Sequence, residues 1–267
     1  MSRFLDLHVP GTPLVMPNPW DVGSAVMLQA LGAHALASTS AGAAFAQGKQ
    51  DGDLSLDEMI AAAVAINGAT DVPVSADLEN GGGQSPDAAA AAVALAAQAG
   101  LAGVSIEDLG QIAGDPIYPF DLALARVEAA VDAARAHGIV LTARSEGLLT
   151  GTLTLEQVCD RMTAFASAGA DVVFAPALAS SDDVRAVVKA AGDTPVSVLV
   201  GAANTALTVQ NLANLGVARI SVGSGLARAA YGGALSVIRA ALSDGRFDYP
   251  QSTASFAEIE ALLSPKS

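Results

Sequence analysis

Short apolar segments alternate with longer helical segments along the whole chain. The apolar segments predict eight strands: Leu14–Pro17, Ala35–Thr39, Val72–Ala76, Gly103–Ile106, Val140–Ala143, Val172–Ala175, Val196–Val200 and Ile220–Val222. Helical patterns follow them at residues 21–31, 55–68, 86–100, 121–137, 155–168, 182–191, 205–215 and 226–243. Strands that are apolar on both faces and separated by helices indicate a parallel sheet. Eight such units favour an α/β fold of the (β/α)8 TIM-barrel type over an open, doubly wound sheet.

No change in composition marks an internal boundary, so residues 1–267 are predicted to form a single barrel domain. Residues 226–267 are its C-terminal helical segment. The intervals between strands lengthen after the second and the fourth, where extra polar loops are expected around residues 43–53 and 109–119. An apolar stripe near the C-terminus is expected to pack on the barrel or on a neighbouring subunit; it consists of Phe256, Ile259, Leu262 and Leu263.

Composition narrows the classes of partner. The net charge of −14 argues against nucleic acid and against anionic membranes, because both would repel the protein. Mean hydropathy is high at +0.44, but the longest uncharged apolar run, Ala88–Ala97, is far shorter than the roughly 18–20 residues of a membrane span. With no evident signal peptide and a single cysteine, Cys159, we expect a soluble, cytoplasmic protein without a disulfide framework.

Carboxylates follow the third and fourth predicted strands. Asp77 and Glu79 close the third strand, and Glu107 and Asp108 close the fourth. Acidic side chains avoid burial unless they are paired or hold a cation. Because parallel strand ends meet at one rim, a hard divalent metal such as Mg2+ explains both clusters. Asp108 is alternatively expected to cap the loop that follows it.

Arg144 and Glu146 follow the fifth predicted strand. One arginine among acids suits a substrate that is itself an anion and is bridged to a metal. No predicted strand contains a lysine, which argues against a Schiff-base aldolase. The three histidines lie at the N-terminus or where strands begin, the wrong end of the barrel for zinc or histidine acid–base chemistry. Residues 223–225, Gly-Ser-Gly, are interpreted as a tight strand-to-helix turn in preference to a phosphate site.

Several ordered stretches resemble the isocitrate lyase and phosphoenolpyruvate mutase superfamily over nearly the full length. They are NPWDVGSAVMLQALGAHALASTSAGAAFAQGKQDG, PVSADLENGGG, GVSIEDLG, LTARSEG, RMTAFASAGADVVFAP and ARISVGSGLARAA. The chain looks most similar to the small branch related to phosphonate mutases and oxaloacetate-type hydrolases. The resemblance implies a barrel that binds Mg2+, with Mn2+ as an alternative. Asp77 would ligate the metal directly, and Glu79 and Glu107 would act through water.

The same resemblance implies roles in substrate binding and catalysis. The backbone at Ser40 and Ala41, with the Thr39 hydroxyl, would cradle a carboxylate or phosphonate. Arg144 would grip that anion with support from Glu146, and Asp51 would lie beside the reacting group. Trp20 is expected either to line the pocket or to pack behind the helix cap formed by the Asn-Pro-Trp-Asp segment, residues 18–21.

Departures from the family pattern limit the activity. Isocitrate and methylisocitrate lyases carry Lys-[Lys/Arg]-Cys-Gly-His after the fourth strand, whereas residues 109–116 here read LGQIAGDP. The lysine and asparagine of the mutase gating loop are also missing. The family's Gly-Tyr-Gly has become three glycines at residues 81–83, which predicts a wider or less well-formed pocket. These differences argue against true isocitrate lyase activity.

The sequence therefore predicts a Mg2+-dependent lyase or hydrolase that cleaves a carbon–carbon bond. Its substrate would be a small 2-oxo or 2-hydroxy mono- or dicarboxylate, and its intermediate a metal-stabilised enolate. The alternatives are phosphonopyruvate or phosphoenolpyruvate mutase or hydrolase chemistry, and a degenerate barrel that binds a carboxylate without turnover. The resemblance also implies a homo-oligomer, a dimer or a tetramer, with an exchanged C-terminal helix.

Overall fold

The computed structural model describes residues 4–112, 115–201 and 207–264. Its strands, in chain order, are β1 (Leu14–Val15), β2 (Leu36–Ala37), β3 (Val74–Asp77), β4 (Gly103–Glu107), β5 (Leu109–Ile112), β6 (Asp115–Ile117), β7 (Val140–Arg144), β8 (Val172–Phe174), β9 (Val196–Leu199) and β10 (Arg219–Ser221). Within this part of the chain, eight strands are parallel and follow the order β1-β10-β9-β8-β7-β4-β3-β2. The remaining two, β5 and β6, pair as an antiparallel hairpin.

The two edges of the parallel sheet meet. The Ala37 N–H donates to the Pro17 carbonyl at 3.2 Å, and Asn18 Nδ2 donates to the Ser38 carbonyl at 3.2 Å. These bonds join the end of β1 to the end of β2, so the sheet closes on itself. The predicted α/β fold of the TIM-barrel type is confirmed.

Helices cover the outside of this sheet. They are α1 (Val22–Ala30), α2 (Ser40–Ala46), α3 (Leu56–Gly68), α4 (Pro86–Gln98), α5 (Phe120–His137), α6 (Gly147–Thr150), α7 (Leu155–Ala168), α8 (Ser181–Ala191), α9 (Val209–Asn214), α10 (Gly225–Asp244) and α11 (Phe256–Leu263). A short 3-10 helix, Leu5–Leu7, precedes the barrel. In the described part of the chain, none of these helices has the length and apolar character that crossing a membrane requires.

Local sequence signals set the helix ends. Ser55 and Glu58 form a capping box at the start of α3, as Thr154 and Gln157 do for α7. Each pair satisfies backbone N–H groups that the first helical turn leaves without partners. Gly138 ends α5 with φ of 69°, a left-handed conformation that glycine adopts without strain. These signals place β7 directly after α5.

The amino-terminal mouth of the barrel is plugged by the segment before β1. Phe4 is buried and packs with Leu14, Ala35, Val140 and other apolar residues at this end. A Cβ on Gly103 would lie 2.6 Å from Phe4 Cε1, so only glycine permits this approach. The plug leaves the carboxyl-terminal mouth as the open end.

Two expected loops contain regular structure. Residues 40–46 form α2, capped by the Thr39 side chain, where a polar loop was expected to begin. Residues 109–112 and 115–117 pair as the β5–β6 hairpin, and residues 113–114 lie outside the described residues. The beginning of the predicted 205–215 helix also lies outside them, and α9 is described from Val209.

Candidate active site

The carboxyl-terminal mouth of the barrel opens into a cavity of about 150 Å3. That volume is well below the roughly 300–1,000 Å3 of pockets for drug-sized ligands, so the cavity suits a small metabolite. Six of the predicted site residues line it: Thr39, Ser40, Ala41, Asp51, Asp77 and Arg144. The structure therefore brings together residues that lie more than 100 positions apart in the sequence.

Arg144, at the end of β7, is surrounded by three carboxylates. Nη1 lies 2.6 Å from Asp77 Oδ1, and Nη2 lies 3.0 Å from Glu107 Oε2 and 2.9 Å from Glu146 Oε1. Nε also donates to Glu146 Oε1 at 3.1 Å. Burial alone lowers the pKa of Arg144, but Glu146, Glu107 and Asp77 outweigh it and hold that pKa well above its usual range. The guanidinium therefore stays charged, in an orientation that Glu146 fixes.

Asp77, at the end of β3, accepts hydrogen bonds through both carboxylate oxygens. Oδ2 accepts from the Ser40 N–H and hydroxyl, each at 3.1 Å. Oδ1 accepts from Arg144 and, at 3.4 Å, from the Ser105 hydroxyl. The donors predicted to cradle a substrate anion thus contact the aspartate predicted to ligate the metal. The predicted metal ligand and the predicted anion cradle form one connected unit.

The surrounding carboxylates repel one another. Burial, with the charges of Asp77 and Asp51, raises the pKa of Glu79 to about 7. Burial also raises the pKa of Glu107 well above its ordinary value despite the neighbouring Arg144. Burial and Asp77 raise the pKa of Asp51 in the same way. One arginine does not neutralise this group, and a cation among these oxygens would lower the repulsion.

The donor set of this cluster consists of oxygen atoms, which Mg2+ prefers. Glu79 has a φ of 50°, a left-handed conformation unusual for a residue with a Cβ, directly after the strand that carries Asp77. Among the described residues, no three histidine, cysteine or acidic side chains are grouped closely enough to form a complete protein-only metal site. Mg2+ often keeps several waters and takes only one or two carboxylates, so the residues present fit this ion.

Trp20 and Thr39 both pack against the start of α2. A Cβ on Gly42 would lie 2.6 Å from Thr39 Cγ2 and 2.9 Å from Trp20 Cβ, so this approach needs glycine. Thr39 Oγ1 accepts from the Gly42 N–H at 3.3 Å and so caps α2. Trp20 is half-buried and is not among the cavity-lining residues, and Asp21 caps α1 beside it. This placement agrees with the helix-cap interpretation of the segment.

A buried ion pair that the sequence interpretation did not identify lies behind Glu146. Asp108 Oδ1 accepts from the Glu146 N–H at 2.7 Å, and Oδ2 lies 2.9 Å from Arg161 Nη1. Arg161 Nη2 also donates to the Tyr118 carbonyl at 2.7 Å. Asp108 therefore ties the backbone of Glu146 to α7, rather than only capping the loop that follows it.

The sequence does contain a signal for Arg161. It shares the buried face of α7 with Val158, Met162 and Phe165. A charged residue at helical spacing within an apolar stripe indicates a buried partner. The partner itself lies 53 positions away and becomes evident only in the structure.

Another buried arginine lies deeper in the barrel. Arg219 begins β10 and is 4% exposed. Its Nε donates to Ser197 Oγ at 2.8 Å, and its Nη1 donates to Thr142 Oγ1 at 3.0 Å and lies 3.3 Å from His8 Nε2. Arg219 lines the same cavity as Asp77. The sequence interpretation missed it because the last strand was predicted to begin one residue later, at Ile220.

Comparison with known proteins agrees with these observations. The family model described as phosphoenolpyruvate phosphomutase matches residues 4–242. An uncharacterised protein of Mycobacterium tuberculosis is 35% identical over 266 residues, which are 97% of this chain and 95% of that protein. A crystal structure from Burkholderia cenocepacia, provisionally assigned as a lyase/mutase, is 42% identical with a TM-score of 0.92 and covers 98% of this chain and 94% of that one.

A crystal structure of 2,3-dimethylmalate lyase, described as a member of the PEP mutase/isocitrate lyase superfamily, is 26% identical with a TM-score of 0.81. The match covers 97% of this chain and 92% of that one. The predicted family resemblance is confirmed, and the chain belongs to the phosphoenolpyruvate phosphomutase family within the PEP mutase/isocitrate lyase superfamily.

Proposed function

We propose that this protein is a Mg2+-dependent lyase or hydrolase that cleaves a carbon–carbon bond in a small 2-oxo or 2-hydroxy carboxylate. The observation that carries this proposal is the connected unit of Asp77, Ser40 and Arg144 on the wall of a small cavity. The presence of 2,3-dimethylmalate lyase among the structural relatives supports a lyase reaction.

Asp77 would hold the metal directly, with Glu79 and Glu107 acting through water. When bound, Mg2+ supplies Lewis-acid stabilisation of the negative charge that develops on the oxygen at C2 of the substrate, worth several kcal/mol. The Ser40 N–H and hydroxyl donate to Asp77 in this structure. Together with Arg144, they would bind a carboxylate of the substrate. Glu146 orients Arg144, and Asp51, at the cavity wall, would hold or move the proton that the family's missing cysteine handles elsewhere.

Oxalate binding tests this assignment directly, since oxalate is a stable mimic of the pyruvate enolate. Calorimetric titration of the wild type should show binding that requires Mg2+, and Asp77→Ala should abolish it. Asp87→Asn is a matched control, because Asp87 is an exposed acid in the first turn of α4 and outside the cavity. Metal-dependent oxalate binding that survives in Asp77→Ala would show that the site is wrongly assigned.

Phosphorus–carbon chemistry is the second candidate function. The name of the matching family model favours it, and residues 109–116 lack the lyase cysteine. Phosphorus-31 NMR with phosphonopyruvate separates the two reactions, because only the phosphorus–carbon enzyme changes the phosphorus signal. If the protein binds oxalate but turns over neither phosphonopyruvate nor any of a broad panel of 2-oxo acids, the result would instead support a barrel that binds carboxylates without turnover.

We also propose that the protein is a homo-oligomer assembled through its C-terminal helices, with a second copy of the chain as the partner. Leu242 on α10 is 84% exposed and Phe256 on α11 is 81% exposed. Ile238, one turn before Leu242 on α10, is also exposed, and α11 packs against α1 of its own chain. An apolar surface of this kind is typical of a subunit interface.

A further inference from the structure

In the described part of the chain, the guanidinium of Arg219 is buried and makes hydrogen bonds only to neutral groups. Its three hydrogen-bond partners, Ser197, Thr142 and His8, are neutral. In the described chain no acidic side chain lies within ion-pair distance of it, whereas Arg144 contacts three. A buried charge is costly unless it is paired. The protein thus maintains an unbalanced positive charge at the bottom of the cavity.

One nitrogen of Arg219 is available from the cavity. Nε and Nη1 make all the hydrogen bonds that Arg219 forms with described residues. Nη2 therefore has no hydrogen-bond partner in this part of the chain, and it is not fully buried. Since Arg219 lines the cavity, Nη2 is a free donor for a molecule inside it.

This donor lies in the same cavity as Asp77, the proposed metal ligand. Ser105 Oγ lies 3.4 Å from Asp77 Oδ1, and Ser105 pairs in register with Thr142 on the neighbouring strand. Thr142 in turn accepts from Arg219. The hydroxyls of Ser75 and Ser105 line the cavity between the two ends. One small molecule can therefore contact Asp77 at one end and Arg219 at the other.

The electrostatics favour an anion at Arg219. Burial and the positive charge of Arg144 lower the pKa of Arg219 to about 9, which still leaves it charged at neutral pH. An anionic group between the two guanidiniums would offset both the burial and the repulsion. The acids around Asp77 would repel an anion that is not bridged to them by a metal. None of these acids contacts Arg219, so this repulsion is weaker at the Arg219 end of the cavity.

We propose that Arg219 determines substrate specificity by binding the second, distal carboxylate of a small dicarboxylate. This inference rests on the proposed function, since it places the 2-oxo or 2-hydroxy end of the substrate at Asp77. It selects dicarboxylates over the monocarboxylates that the proposed function also allows. A charged hydrogen bond of this kind corresponds to about 10–100-fold in affinity.

Calorimetry with malate and lactate tests the inference, because the two share a 2-hydroxy carboxylate and differ in the distal carboxylate. With Mg2+, wild type should bind malate at least about tenfold more tightly than lactate. Arg219→Met should remove this preference while oxalate, which has no distal group, binds as before. Arg219→Lys keeps the positive charge but places its donors differently, so it should reduce the preference for malate. This variant replaces Arg219→Met if the methionine variant does not fold.

Ser197→Ala is the matched control, since it removes a partner of Arg219 but leaves the charge; it should retain the preference for malate. Three results would each overturn the inference. The preference for malate would be unchanged in Arg219→Met, the wild type would show no preference, or Arg219→Met would lose binding of malate, lactate and oxalate to the same extent. Absence of oxalate binding in wild type would instead contradict the proposed function. In that case, succinate and propionate, which differ in the second carboxylate, test the Arg219 subsite by themselves. Succinate binding that is lost in Arg219→Met supports the subsite, and a wild type that does not bind succinate overturns it.

Discussion

At the scale of single residues, the barrel interior combines ionic groups with very different surroundings. Among the residues that the structure describes, Arg144 contacts three carboxylates, whereas Arg219 contacts only neutral acceptors. Asp77 and Arg144 could be predicted from the sequence because they end apolar strands within a recognisable pattern. Arg219 could not, because whether a residue at the start of a strand faces the barrel interior depends on register with β9.

His8 shows how this environment affects stability. Its Nδ1 lies 3.1 Å from the Phe4 carbonyl and its Nε2 lies 3.3 Å from Arg219, so Nδ1 donates and Nε2 accepts in the neutral ring. Burial and the charge of Arg219 lower the pKa of His8 from 6.5 to about 4. Folding therefore favours the neutral form, and the contribution is present above pH 6.5 and is lost as pH falls toward 4.

We expect the wild type to lose about 2 kcal/mol of its free energy of unfolding between pH 7 and pH 5 through this group. Urea unfolding at the two pH values measures the loss, and pH 5 stays above the pI of 4.3. His8→Gln keeps an amide donor and acceptor but does not titrate, so its loss should be smaller by that amount. Carboxylates common to both proteins cancel in the difference. Equal pH dependence in the two proteins would contradict a buried neutral histidine.

At the scale of elements, most strands and helices could be predicted because their apolar patterns and caps agree with the final packing. The first residues of the loop expected at 43–53 instead belong to α2, which starts at Ser40 because Thr39 caps it. The β5–β6 hairpin was missed because a contact that holds its end, with Arg161 of α7, lies far away in the sequence. The Tyr118 N–H donates to the Asp108 carbonyl, and Arg161 holds the Tyr118 carbonyl.

The ion pair of Asp108 and Arg161 should therefore contribute strongly to stability. Arg161→Met leaves the buried Asp108 carboxylate without its ion-pair partner and is expected to cost about 3–5 kcal/mol in the free energy of unfolding. Arg185→Met is the matched control, because the Arg185–Asp182 pair is exposed on α8 and should be worth less than about 1 kcal/mol. The double variant Asp108→Asn with Arg161→Met should recover part of the loss. Similar small changes in both single variants, measured by urea unfolding, would contradict this role.

At the scale of the whole molecule, the count of strand–helix units predicts the barrel, and closure then places the site. The acids of β3 and β4 and the arginine of β7 meet because these strands are neighbours in the sheet. The pairing order cannot be obtained from local patterns, but eight parallel units joined by helices permit few other arrangements. The way in which subunits assemble could not be predicted from the sequence, because an apolar stripe does not specify the surface that covers it.

The exposed apolar residues of α10 and α11 lead to a prediction about assembly. Burial of these side chains against a second copy would remove apolar surface from water at about 25 cal/mol per Å2. Light scattering after size exclusion should give a mass that is a multiple of the 26.5 kDa chain. Ile238→Glu with Leu242→Glu should shift the protein toward a monomer, because each charge would be buried in the interface. Val209→Glu, at an exposed apolar position on α9, should leave the mass unchanged. A wild type that runs as a monomer would exclude this assembly, and a double variant that keeps the oligomeric mass would place the interface on another face of the barrel.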